Sequence, residues 1–141
     1  QESHFAMTRK HTFSGVPWEE RYGYSRALRV RDLVFVSGTS ATDSDGIPQA
    51  VGDPGAQTLY ILQKIDTALR NVGSSLNDVV RARYWVTDLA QADAIGRSHA
   101  QLLGKVRPAM TMAEVSGLML PEHLVEIEVD AVITGPIKNE P

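Results

Sequence analysis

The chain has 141 residues, of which 43% are hydrophobic and 22% are charged, and its formal net charge is -3 at pH 7. These values are typical of one globular domain with a real core, and the scattered Lys and Arg argue against nucleic acid as a partner, because phosphate binding concentrates positive charge on one surface. The chain contains no cysteine, which excludes disulfides and thiolate ligands and fits a reducing compartment such as the cytoplasm.

The composition of the first residues predicts where the domain begins. Residues 1–6 lack the apolar core of a secretory signal, and no apolar run is long enough to span a membrane. We therefore expect Met7 to be the native start, residues 1–6 to be an artificial addition, and residues 7–141 to form a single domain. The four histidines show no ligand spacing, so we expect neither a catalytic metal nor another cofactor.

The first predicted elements are two strands and a loop. Residues 24–30 and 33–37 are typical of short strands around a tight turn at Arg31 and Asp32, so they predict a hairpin. Residues 38–54 are rich in Gly, Asp and Pro and predict a loop.

A long helix is predicted next. Asp53 is suited to cap its N-terminus, Pro54 fits its first position, and Gly73 is placed to end it. Its apolar residues fall on one stripe at helical spacing: Ile61, Leu62, Ile65, Leu69 and Val72.

A strand over residues 79–87 and a second helix over residues 89–103 follow. Thr87 or Asp88 is expected to cap that helix and Gly104 to end it. One strand face is apolar and the other is cationic and aromatic. The apolar face holds Val80, Ala82, Tyr84 and Val86, and the other face holds Val79, Arg81, Arg83, Trp85 and Thr87.

The last predicted strand carries a stripe of acids. With a period of two, Val125, Ile127, Val129 and Ala131 share one face, and Glu126, Glu128 and Asp130 share the other. If the acidic face is in solvent, it serves solubility or edge protection, which the residues alone favour because strands with one wet face are common. If it faces a cleft or a subunit, its carboxylates become partly protonated and can perform acid/base chemistry.

The elements together predict a compact α+β fold, a sheet with two helices on one face. The other face must then be covered, and another subunit would serve. His99 lies at helical spacing on an apolar face and is predicted to be a core histidine, while His123 is predicted to lie in a loop. Trp18, Glu19 and Glu20 form an amphipathic patch that is expected to cover a cleft.

The order and spacing of several short motifs over residues 13–133 resemble the RidA/YjgF family. The motifs are Gly23–Tyr24, Ser37–Gly38, the helix containing Gln57, the strand over residues 79–88, Pro108–Ala109 and Glu126–Ile127–Glu128. The resemblance implies a chorismate-mutase-like α+β protomer with a mixed sheet, and a homotrimer whose sheets face inward around three interfacial clefts that bind small molecules. It also implies hydrolysis of reactive enamines or imines to 2-oxo acids and ammonia.

The resemblance also implies the site residues. Tyr24, Ser37, Gly38 and Glu126 match cleft positions of the family, with Glu126 orienting water or transferring a proton. Its alternative role, from the residues alone, is an ion pair with Arg81 or Arg83 on the neighbouring strand. Strand alternation further suggests Arg83 as a cation for an anionic ligand and Trp85 as an aromatic wall beside it.

Three positions depart from the family pattern. Met110 stands where an arginine holds the substrate carboxylate, and a methionine neither carries charge nor donates hydrogen bonds. Met112 stands where many relatives have cysteine, and Gly96 where an asparagine often lines the cleft. The sequence therefore predicts a substrate-binding site, including Met110 and Met112, that is more apolar than the family norm.

Two functions from different classes fit these features. The first is a deaminase for an enamine or imine that differs from the usual 2-imino acids. The alternative is a non-catalytic trimeric protein that binds or senses a small molecule in the same interfacial pocket. Neither the charge nor a catalytic constellation supports a nuclease.

Overall fold

The computed structural model describes residues 9–134, so the predictions for residues 1–6 and Met7 lie outside the described residues. These residues form three α-helices and six strands: β1 (Arg9–Thr12), α1 (Pro17–Tyr22), β2 (Ala27–Val30), β3 (Leu33–Ser40), α2 (Pro54–Asn71), β4 (Val79–Val86), α3 (Ala92–Leu103), β5 (Ala109–Glu114) and β6 (Val125–Val132). None of the helices in this part of the chain is both long enough and apolar enough to cross a membrane.

The strands form one mixed sheet in the order β1-β2-β3-β6-β4-β5. Only β4 and β5 run parallel, because α3 crosses over between them, and the other neighbours are antiparallel. Helices α2 and α3 pack on one face of this sheet, as predicted. The short helix α1 and the edge strand β1 were not predicted from the sequence.

Helix α2 forms for the reasons that the sequence suggested. The Asp53 side chain accepts a hydrogen bond from the Ala56 amide at 3.0 Å, and Pro54 occupies the first turn. Gly73 follows the helix with φ +88°, a left-handed conformation that favours glycine. The predicted stripe is fully buried and forms the centre of the core: Ile61, Leu62, Ile65, Leu69 and Val72.

The predicted hairpin is present, but its boundaries differ from the prediction. Strand β2 begins only at Ala27, so Tyr24 lies outside it, and Arg31 takes the tight turn at φ 55°. Strand β3 continues to Ser40, so the prediction of a loop from Gly38 was wrong for its first residues. A bulge between Val36 and Thr39 shifts the register against β6, and pairing resumes at Thr39 and Ser40.

A second bulge corrects the predicted faces of β4. Val79 is 2% exposed and belongs to the core, whereas Val80 is 46% exposed. The sequence had predicted the reverse, with Val80 on the apolar face and Val79 on the other face. The register against β6 shifts between Val79 and Arg81, and this extra residue restores the expected alternation from Ala82 onward.

Helix α3 begins later than predicted. The Asp88 side chain accepts from the Ala90 amide at 2.9 Å and caps a single 3-10 turn, after which the α-helix starts at Ala92. Ile95 and Leu103 are buried, as expected for its inner side.

The sheet face opposite the two long helices carries both charged and apolar residues. The core face of β6 is fully buried, and Glu126, Glu128 and Asp130 alternate with it as half-buried residues. Phe35 lies directly beside Asp130 and is 46% exposed. Leu33, two residues earlier in the same strand, is exposed to the same extent, so this face carries more than one exposed apolar side chain.

Candidate functional site

Glu126 lies where β6 begins, on the open face of the sheet. Its neighbours Val125 and Ile127 are fully buried in the core and fix the direction of the strand. The register places Glu126 between Ser40 of β3 and Trp85 of β4. The centre of the sheet therefore fixes the backbone from which this carboxylate extends.

The surroundings of the Glu126 carboxylate favour its protonated form. Burial raises its pKa above the usual value, the positive charge of Arg26 opposes this, and the negative charge of Glu128 adds to it. No salt bridge joins Glu126 to a cation within residues 9–134. A half-buried carboxylate without a cation is a good candidate for proton transfer, because its pKa moves toward neutrality.

A small cavity of about 50 Å³ adjoins this carboxylate. Tyr24 and Gly38 line it together with Glu126, and Trp18 and Met119 close it. The carboxylate lies against the backbone of Gly38, since a Cβ atom at that position would collide with it. The structure therefore brings together Tyr24, Gly38 and Glu126 of the predicted site.

A buried ion pair, which the sequence analysis missed, supports this cavity. Arg26 donates from Nε to Glu19 Oε2 at 2.9 Å, and both side chains are almost fully buried. The same guanidinium donates to the Gly38 carbonyl at 2.6 Å and to Thr39 Oγ1 at 3.1 Å. Arg26 also lies over the ring of Tyr24, 5.5 Å from its centroid. It thus fixes the backbone and the aromatic ring on two sides of the site.

Glu19 remains ionised in this pair. Burial acts to raise the pKa of Glu19, but hydrogen bonds from Ser14 and Arg26 outweigh it and hold that pKa below its usual value. Trp18, its neighbour in α1, lines the small cavity, whereas Glu20 is exposed. The predicted patch thus covers the site through Trp18, and Glu19 has a structural role that its position in the sequence did not indicate.

Ser37 lies beside the site and is already hydrogen-bonded. Its hydroxyl donates to the Ser25 carbonyl at 2.7 Å. Ser37 and Tyr24 line a wider depression of about 460 Å³ on the open face, together with Glu128 and Asp130. Ser37 therefore belongs to this depression and not to the small cavity.

Arg83 and Trp85 bind the other two acids of the stripe. Arg83 Nη1 lies 3.3 Å from both Glu128 Oε2 and Asp130 Oδ2. The Trp85 indole donates to Glu128 Oε1 at 2.9 Å. The ion pair that the sequence allowed between Glu126 and Arg83 is thus made by Glu128 and Asp130 instead. Of the three acids in the stripe, Glu128 and Asp130 are therefore paired with Arg83, whereas Glu126 forms no ion pair with a described residue.

The two methionines lie away from Glu126. In the sheet, Met110 is paired with Ala82, and Met112 is paired with Tyr84. Ala82 and Tyr84 are buried on the helix-covered face, so the two methionines also lie on that face. Met110 is 38% exposed at the edge of the sheet, while Met112 packs against the core. Gly96 lies in α3, also on that side, with open space at its Cβ position. These three positions do not join Glu126, because one strand and the sheet itself separate them.

His99 and His123, the two histidines discussed in the sequence analysis, are hydrogen-bonded to other residues of the fold. His99 Nδ1 is hydrogen-bonded to the hydroxyl of the buried Tyr84 at 2.6 Å. His123 lies in a loop, as predicted, but it is only 1% exposed. Its Nδ1 accepts from the Leu120 amide at 3.3 Å, and its Nε2 has no partner among the described residues. Burial lowers the pKa of both rings, so both are neutral at pH 7. Residues 9–134 contain no group of three or more side chains that could hold a metal ion.

Comparisons of the sequence find a family and curated relatives. A family model described as Endoribonuclease L-PSP matches residues 18–133. The chain is 36% identical over 118 residues to an uncharacterized protein of Streptomyces coelicolor, which covers 84% of this chain and 87% of the relative. It is also 36% identical over 104 residues to 3-aminoacrylate deaminase RutC of Acinetobacter baylyi, which covers 74% of this chain and 82% of the relative.

Comparison of the fold finds similar solved structures. Rv2704 from Mycobacterium tuberculosis, described as a member of the YjgF/YER057c/UK114 family, has a TM-score of 0.80 at 43% identity, covering 89% of this chain and 99% of its own. RidA from the Antarctic bacterium Psychrobacter has a TM-score of 0.72 at 28% identity, covering 79% of this chain and 89% of its own. The chorismate-mutase-like α+β fold predicted from the sequence is confirmed.

Proposed function

The chain belongs to the Endoribonuclease L-PSP family, also named YjgF/RidA, and we propose that it is a hydrolase that deaminates a reactive enamine or imine to a carbonyl compound and ammonia. One observation carries this proposal: Glu126 is a half-buried carboxylate with a raised pKa, and none of the described cations forms a salt bridge with it. The name of the relative RutC supports it, since 3-aminoacrylate is an enamine.

The chemistry requires one group that both gives and takes a proton. Protonated Glu126 donates to the nitrogen of an imine, or to the β-carbon of an enamine, which makes the substrate carbon electrophilic. The resulting carboxylate accepts a proton from water as the water oxygen attacks that carbon. Proton transfer to nitrogen then lets ammonia leave as the carbonyl forms. Atoms balance, because one imine and one water give one carbonyl compound and one ammonia.

The substrate is proposed to differ from the usual 2-imino acids. Met110 occupies the position where the family resemblance implies a carboxylate-binding arginine, and a thioether cannot hold a carboxylate. Arg83 does not offer a free replacement within the protomer, since two carboxylates share its guanidinium. We therefore expect a larger or more apolar substrate without a strict need for a carboxylate.

The proposed assembly is a homotrimer whose sheets face inward. A cavity of about 50 Å³ beside Glu126 is too small for a substrate, since ligand pockets generally span about 300–1,000 Å³. A neighbouring subunit that covered the open face would add the missing walls. Edge strand β5, which pairs with β4 alone among the described strands, would then bring Met110 of one protomer to the cleft of the next.

Ammonia release from freshly generated imines tests the proposal. A panel of imines that vary in size, each with and without a carboxylate, is presented to wild type, to Glu126→Gln and to the matched control Glu122→Gln, whose side chain is exposed. We expect turnover of apolar imines by wild type and the control, and a loss of about 10²–10⁴-fold in Glu126→Gln. The alternative is a trimeric binding or regulatory protein, and it is established instead if wild type binds panel products tightly but turns over none of the imines.

A further inference from the structure

Lys64 is a half-buried cation that the proposed chemistry does not use. It lies in α2 and donates from Nζ to the Thr42 carbonyl at 3.0 Å and to Thr42 Oγ1 at 3.4 Å. No carboxylate within residues 9–134 forms a salt bridge with it. A lysine that is held in place by neutral oxygens alone is unusual, because buried ammonium groups are normally paired with an acid.

The amine lies beside a cavity of about 380 Å³ between α2 and the segments around Ser14 and Thr42. Phe13 and Tyr60 supply aromatic walls, and Lys64 lines this cavity as well as the small one beside Glu126. The volume is within the range of small-molecule sites, and a mixed polar and apolar lining is typical of them. The lysine is therefore available to a ligand of modest size.

The surroundings of Lys64 increase the fraction of neutral amine near physiological pH. Burial lowers its pKa to about 8, the positive charge of Arg26 adds to this, and Glu19 and Asp43 oppose it. Asp43 is itself occupied, since it accepts from the amides of Asp45 and Ile47. Only the neutral amine is nucleophilic, and burial beside another cation is a recognised way to produce it.

We propose that Lys64 is a nucleophilic amine that captures small aldehydes or other carbonyl compounds in this cavity as a Schiff base. The Nζ lone pair attacks the carbonyl carbon, a proton passes from nitrogen to oxygen, and the carbinolamine loses water to leave a C=N bond. One amine and one carbonyl thus give one imine and one water. Tyr60 lines the same cavity, and burial together with Asp43 raises its pKa, so its phenol stays protonated and can donate to the carbonyl oxygen. The inference does not rest on the proposed deaminase activity.

Reductive trapping of the whole chain tests this assignment. The protein is incubated with propionaldehyde, and separately with glyoxylate, in the presence of cyanoborohydride from about pH 6 to pH 9. Intact mass and peptide mapping then report which amine is alkylated. At pH 8 about half of an amine with a pKa near 8 is neutral, against about 0.4% of an ordinary lysine. We therefore expect Lys64 to be labelled at least about tenfold faster than Lys10 or Lys105, which are exposed.

Variants provide the second arm of the test. Lys64→Arg keeps a cation but cannot form an imine, and it should lose the fast adduct, while Lys105→Arg should keep it. Peptide mapping of the wild type remains a valid test even if Lys64→Arg folds poorly, because the other lysines of the same protein act as internal controls. Labelling that is equal at Lys64, Lys10 and Lys105, or a fast adduct that persists in folded Lys64→Arg, would overturn the proposal.

Discussion

The carboxylate of Glu126 lies directly against the backbone of Gly38, so that any side chain at position 38 would meet it. Gly38 lies in the bulge of β3 between Val36 and Thr39, two residues before Ser40, which is paired with Glu126. No positive φ is required at Gly38. Glycine is therefore needed at this position for space and not for backbone conformation.

Gly38→Ala should displace the Glu126 carboxylate while leaving the fold intact. The collision is with the end of a flexible side chain, which can move at low cost. We expect a loss of about 10²-fold in the deamination rate, with a melting temperature close to that of wild type. Steady-state kinetics and thermal unfolding measure the two effects.

A double mutant provides the control for this prediction. If Gly38 acts through Glu126, then Gly38→Ala should cost little further activity in a Glu126→Gln background. Additive losses in the two variants would contradict the proposed link.

Glu126→Gln should change the dependence of stability on pH in a defined direction. The pKa of Glu126 is raised above 4.5 in the folded protein, so its stabilising contribution is complete below about pH 4.5 and is lost as pH rises through the folded value. Glutamine removes this cost of ionisation. We expect the free energy of unfolding of Glu126→Gln to exceed that of wild type at neutral pH, by about 1.4 kcal/mol for each unit of pKa shift, and the difference to vanish in acid.

Urea unfolding at several pH values measures this difference. A wild type that is more stable than Glu126→Gln at neutral pH would indicate that the carboxylate is paired in the assembled protein. The same result would remove its role in proton transfer.

Arg26→Met should be strongly destabilising. It leaves Glu19 buried without its cation, and such a loss generally costs about 3–5 kcal/mol. Arg97→Met is the matched control, because Arg97 and Asp93 form an ion pair at 2.8 Å whose side chains are 80% and 82% exposed. Exposed pairs contribute about 1 kcal/mol or less. Denaturant titration should separate the two variants, and equal effects would show that the buried pair has no special role.

Tyr84→Phe should lower stability through the loss of one buried hydrogen bond. The Tyr84 hydroxyl is bound to His99 Nδ1 at 2.6 Å, and its removal leaves the ring nitrogen without a partner, at a cost of about 1–3 kcal/mol. Tyr22→Phe, at a site 61% exposed, is the control and should have little effect. The pKa of His99 is lowered by burial from 6.5, so wild type should also lose stability as pH falls below that value. A Tyr84→Phe variant as stable as wild type would contradict this account.

Phe35→Glu should weaken the proposed trimer. Phe35 is 46% exposed on the open face of the sheet and lies beside Asp130, so a new carboxylate there would be repelled as well as solvated. Val51→Glu is the control, since Val51 is also an exposed apolar residue, at 64%, but lies in the loop after β3. Light scattering should report a trimer for wild type and the control and a smaller species for Phe35→Glu. A monomeric wild type would remove the interfacial site altogether.

Local patterns were sufficient to predict most of the elements. The cap at Asp53 and the apolar stripe from Ile61 to Val72 depend on contacts within one helix and one face, so their spacing alone indicates them. The bulges at Ser37–Gly38 and at Val80 were missed, because an extra residue in a strand has no signal apart from the partner strand against which it is counted. The faces of Val79 and Val80 were wrong for this reason.

By itself, the sequence determined the α+β fold, the two long helices and the separation of β6 into an apolar and an acidic face, because these follow from the periodicity of neighbouring side chains. Only the tertiary structure decided which acid is unpaired. Arg83 could have reached any of the three carboxylates, and the register of β4 against β6 assigns it to Glu128 and Asp130. The same holds for Arg26, Glu19 and Lys64, whose partners and pKa values depend on burial among elements that are distant in the chain.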